Sequence, residues 1–83
     1  MSNKLYHYSL HEFAVGDTVE ARISFPFPDA WAWAATGSLE ALQEELPSEY
    51  HIYEVEPLGA VLQSPVHDWA VRSQDGFRVV AKV

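Results

Sequence analysis

No cysteine occurs in this sequence, which rules out a disulfide framework, a thiolate metal site and a thiol nucleophile. That absence is compatible with a reducing cytoplasm. No stretch approaches the roughly 20 apolar residues that span a bilayer. The opening MSNKLYHYSL lacks an apolar core followed by a small-residue cleavage site. The expectation is an unprocessed cytoplasmic protein with no membrane partner. Basic residues are also scarce, with five Lys and Arg against twelve Asp and Glu, for a net charge of −7. None of the five lies between Arg22 and Arg72, while Asp29, Glu40, Glu44, Glu45, Glu49, Glu54, Glu56 and Asp68 do. Binding to a nucleic-acid backbone draws on clustered cations, so direct nucleic-acid binding is disfavoured. The four glycines form no phosphate-cradling loop, and the serines sit in no nucleophile elbow.

What is present is a short chain rich in large rings. Eighty-three residues make one domain, residues 1–83, because a chain of this length closes only one modest core. Eleven aromatic residues, Trp31, Trp33 and Trp69 among them, supply bulk for that core or for a contact surface.

Along the chain, Lys4–Ser9 reads as a short strand and Gly16-Asp17 as a turn. Thr18–Phe25 alternates, with Val19, Ala21 and Ile23 on one side and Glu20, Arg22 and Ser24 on the other. Pro26 and Pro28 end that pattern, so Phe25 and Phe27 fall in a stiff apolar loop, either as a contact site or as cover for the core edge. Ala30–Thr36 is ambiguous, since alanine favours a helix while strict Ala/Trp alternation favours a strand, and the strand is the reading taken. Ser38 is a plausible N-cap for a helix over Leu39–Leu46, which Pro47 stops. Leu39, Leu42 and Leu46 share one side of that helix, leaving Glu40 and Glu44 to water. Strands follow over His51–Glu56, Ala60–Gln63, Trp69–Ser73 and Phe77–Val83, and Asp75-Gly76 predicts a hairpin between the last two. The pattern is α+β, a small and mainly antiparallel sheet covered by one short helix.

Few residues suggest chemistry. His7 and His11 lie four apart, a chelating spacing on a helix but not on a strand followed by a turn, so no metal is expected. His11-Glu12 does not continue into a zinc-protease pattern. Glu54 and Glu56 share a strand face about 6.7 Å apart, as an acid/base pair or as two exposed acids.

An ordered set of short motifs resembles the rifampin ADP-ribosyltransferase family in shortened form. It comprises Leu5-Tyr6-His7, Gly16-Asp17, Ser38-Leu39-Glu40-Ala41, Ile52-Tyr53-Glu54-Val55-Glu56-Pro57-Leu58-Gly59 and Arg78-Val79-Val80. The resemblance implies a reduced ADP-ribosyltransferase-like scaffold. In that family a His and a Tyr hold NAD and an Asp assists transfer. His7 matches the His. The Tyr position falls at Trp33 or Ala34, and the acidic pair before a proline falls at Gln63-Ser64 before Pro65. Two of the three functional side chains are therefore replaced, and losing one electrostatic group commonly costs a factor of about 10²–10³. Glu54 or Glu56 substitutes only if the fold presents it to the cleft. If the chain is active, the candidate catalytic residues are His7, Trp33, Glu54 and Glu56, with NAD as cofactor.

Two functions follow. One is an acidic, non-catalytic inhibitor that needs no cofactor and engages a partner protein with a basic, nucleic-acid-binding surface, as small anti-defence proteins of phages and mobile elements do. Its contacts would be Glu40, Glu44, Glu45, Glu49, Glu54 and Glu56, with Phe25 and Phe27; the acids are otherwise a solvated surface. The other is a minimal NAD-dependent mono-ADP-ribosyltransferase or NAD-binding domain.

Overall fold

A computed structural model describes residues 4–23, 28–36 and 38–83. Strands β1 (Leu5–Ser9), β2 (Thr18–Val19), β3 (Arg22–Ile23) and β4 (Ala30–Ala35) precede helix α1 (Leu39–Glu45). Strands β5 (His51–Pro57), β6 (Leu62–Gln63), β7 (Ala70–Ser73) and β8 (Phe77–Lys82) follow it. Every strand pairing among the described residues is antiparallel, in the order β2-β8-β5-β1-β4-β7-β6, with β3 also on β4. The architecture is α+β, a mostly antiparallel sheet with one short helix.

The alternation of β1 and β5 gives the sheet two apolar faces. Tyr53 and Val55 enter one core with Val19, Ala32, Ala34, Phe77 and Val79, against which Leu5 and Phe13 pack. Ile52 enters a second with Ala35 and Leu42, joined by Tyr6, Tyr8, Leu39 and Leu46. The second core lies under α1. The Ser38 hydroxyl accepts from the Ala41 N–H at 3.2 Å, capping the helix start. Leu46 turns extended (φ −86°, ψ 139°), as a residue before proline must.

The Asp-Gly hairpin does not form. Both edges of β7 are taken, Arg72 pairing with Trp33 and Leu62. Both edges of β8 are taken too, Phe77 pairing with Val19 and Pro57. Gly76 instead turns the chain from one side of the sheet to the other. Its φ is +89°, and an added Cβ would lie 2.6 Å from the Val19 carbonyl oxygen. The sheet must curl to allow this. In a flat sheet β7 and β8 would stand four spacings, or about 19 Å, apart, whereas the chain from Ser73 to Phe77 reaches only about 14 Å.

The expected strand over Thr18–Phe25 is also divided. Thr18 and Val19 pair with β8, whereas Arg22 and Ile23 pair with β4. The alternation is lost at this change of partner, and Ile23 is 73% exposed rather than buried beside Val19. Phe25 and Phe27 lie outside the described residues. The strand expected over Ala60–Gln63 is confined to Leu62–Gln63, and Trp69 precedes β7 rather than belonging to it.

Candidate functional site

His7 sits where the sheet opens. β1 meets β4 in register only at Tyr6 and Ala35, yet β1 continues along β5 through Ser9. Past that single pairing, the His7 Nδ1–H donates to the Trp33 carbonyl oxygen at 3.0 Å, a side chain completing what the ladder leaves. Because a carbonyl only accepts, the proton belongs on Nδ1 and the Nε2 lone pair is an acceptor. Burial pushes the imidazole below its ordinary value, and the bond to Trp33 opposes that shift without cancelling it. His7 is therefore a neutral ring at pH 7.

Beside it opens a cleft of about 400 Å³, with His11, Phe13, Glu20, Arg22 and Trp31 on its walls. Phe13 meets His7 and His11 edge to face at 5.7 and 4.7 Å. Its position is fixed from below by Tyr53, whose fully buried hydroxyl accepts from the Phe13 N–H at 2.8 Å and donates to the His11 carbonyl. Trp33 reaches the cleft from β4, and the Arg72 guanidinium lies 4.0 Å from the Trp31 ring centroid. No group of three or more His, Cys, Asp or Glu able to hold a metal occurs among the described residues.

Glu54 and Glu56 do not line this cleft. They alternate with Val55 in β5 and so stand on the Ile52 face, under the same side of the sheet as α1. Glu54 pairs with Lys4 at 3.2 Å, and Glu56 lies 4.0 Å from Arg78 Nε. The carboxylate that does line the cleft is Glu20, which the sequence pattern marks only as the outward residue of a strand. Phe13 and Arg22 also come to the site without a sequence signal, since a loop and a change of strand partner bring them there.

The helix acids form the other candidate surface. Glu40, Glu44 and Glu45 on α1 and Glu49 after it are exposed, and the last turn of α1 carries no base. The ion pairs found among the described residues involve Glu12, Glu54 and Glu56 instead. The two candidate surfaces are separate, the cleft on the Leu5 and Tyr53 side of β1 and β5 and the acids on the helix side.

No family model and no curated protein matches this chain. Among the described residues no helix is long and apolar enough to cross a membrane.

Proposed function

We propose that this chain is an acidic, non-catalytic binding protein that places α1 against a basic, nucleic-acid-binding site on a partner protein. One observation carries the reading: Glu40, Glu44, Glu45 and Glu49 stand exposed on and beside one helix with no base in its last turn. Glu54 and Glu56 extend the charge along the same side of the sheet, but Lys4 and Arg78 partly offset them. Glu40 and Glu44 are about 6 Å apart along the axis. A row of carboxylates so spaced suits a groove built for phosphates. This is the chemistry by which acidic anti-defence proteins block nucleases and RNA-guided complexes.

The test compares the wild-type chain with a Glu40→Lys/Glu44→Lys variant as baits in host extract. A partner held at low salt, released near 1 M salt and lost with the variant supports the reading. A partner held equally by both baits at every salt concentration overturns it.

The second reading, an NAD-binding or minimal ADP-ribosyltransferase domain on a reduced transferase scaffold, is favoured by the His7 cleft. Its volume falls within the range of about 300–1,000 Å³ usual for small-ligand pockets. Transfer would develop positive charge on ribose, and Glu20 is the carboxylate on the cleft wall. Calorimetry with NAD decides it. Micromolar affinity lost in His7→Ala, with label transfer lost in Glu20→Gln, would replace the first reading.

A further inference from the structure

We infer that the groove along α1 is a socket for a single arginine side chain of the basic partner, an inference that rests on the acidic-face proposal above. The groove holds about 280 Å³ between the helix and Trp69. That is the low end of the range for small-ligand pockets and leaves room for one long side chain supplied by a partner. Its walls are apolar at Ala35, Ala41, Leu42 and Leu46, aromatic at Tyr8 and Trp69, polar at Ser38 and charged only at Glu45. An aliphatic stem fits the first part, and a cation fits the last.

Two features select a cation beside Glu45. Glu45 is exposed and negative. No basic residue in the last turn of α1 offsets that charge. Trp69 borders the groove and is 42% exposed, with His67 stacked on it at 4.7 Å and 23°, and an indole of this kind attracts a cation. Arginine fits better than lysine, because its planar guanidinium can stack on an indole while its fork meets a carboxylate. The chain already holds one such stack internally, Arg72 on Trp31.

The experiment titrates the ¹⁵N-labelled chain with hexa-arginine and with hexa-lysine peptides at about 0.1 M salt. The expected result is tighter binding of hexa-arginine and a shift of the Trp69 indole N–H. Trp69→Leu and Glu45→Gln should each weaken the arginine peptide about three- to tenfold and remove its advantage over lysine. Glu45→Gln alters no buried group, so it carries the test if Trp69→Leu fails to fold. Equal binding of both peptides without a Trp69 shift overturns the socket and leaves the acidic face standing. Binding of neither peptide overturns both.

Discussion

His7 and Gly76 carry the consequences that single residues can have. A neutral imidazole buried beside Trp33 resists protonation, so its folded-state value lies below the unfolded value near 6.5. Above pH 6.5 both states are neutral and the stability is fully present. As pH falls below 6.5 the unfolded chain takes up a proton that the folded chain does not, and stability is lost until the folded value is passed. His7→Gln keeps a donor for the Trp33 carbonyl but does not titrate. Urea midpoints at pH 7.5 and 5.5 should therefore converge in His7→Gln relative to wild type, and an unchanged gap would mean that the ring is already solvated. Gly76→Ala addresses the backbone. A left-handed φ costs a Cβ-bearing residue about 1–2 kcal/mol, and the Val19 carbonyl leaves no room for the added methyl. A loss above about 2 kcal/mol is expected in denaturant titration.

Among the elements, α1 depends most on a single side chain. Leu42 is its buried residue and joins Ala35 and Ile52 in the second core. Leu42→Ala should cost about 2–5 kcal/mol by denaturation, out of a total of only about 4–12 for a domain of this size. The helix was legible in the sequence because its signals are local: a serine cap, leucines at helical spacing, and a proline. β1 and β5 were legible from their run of Tyr, Leu, Ile and Val, and β4 from its Ala/Trp alternation, which alanine's helix preference left ambiguous. The division of residues 18–23 and the failed hairpin were not legible. Both depend on which edges other strands already occupy, and Asp75-Gly76 fits any turn that needs a positive φ. The site was half legible. Strand alternation accounts for His7 on the Leu5 face and for Glu54 on the other, whereas Glu20 lines the cleft from the link in which the chain changes partner from β8 to β4.

At the scale of the whole molecule, the charge of −7 makes the free fold and the proposed complex respond to salt in opposite directions. In the free chain Glu40 and Glu44 repel each other one turn apart, a like-charge pair that costs about 0.2–0.5 kcal/mol. Glu44 also sits toward the helix C-terminus, where the dipole disfavours an acid. Screening relieves both effects, so the urea midpoint of the free chain should rise as salt goes from about 0.02 to 0.3 M. Affinity for a cationic partner should fall over the same range. Glu44→Lys separates the two demands. It replaces a repulsion with a favourably oriented Glu40-to-Lys pair and puts a cation in the last turn, which should stabilise the free fold by about 0.3–1 kcal/mol. Its midpoint should then respond less to salt, and its binding to hexa-arginine should weaken. A variant that is more stable and binds less well means that the acid at position 44 serves recognition at the expense of stability. A variant that gains stability and binds equally well would make Glu44 part of a solvated surface.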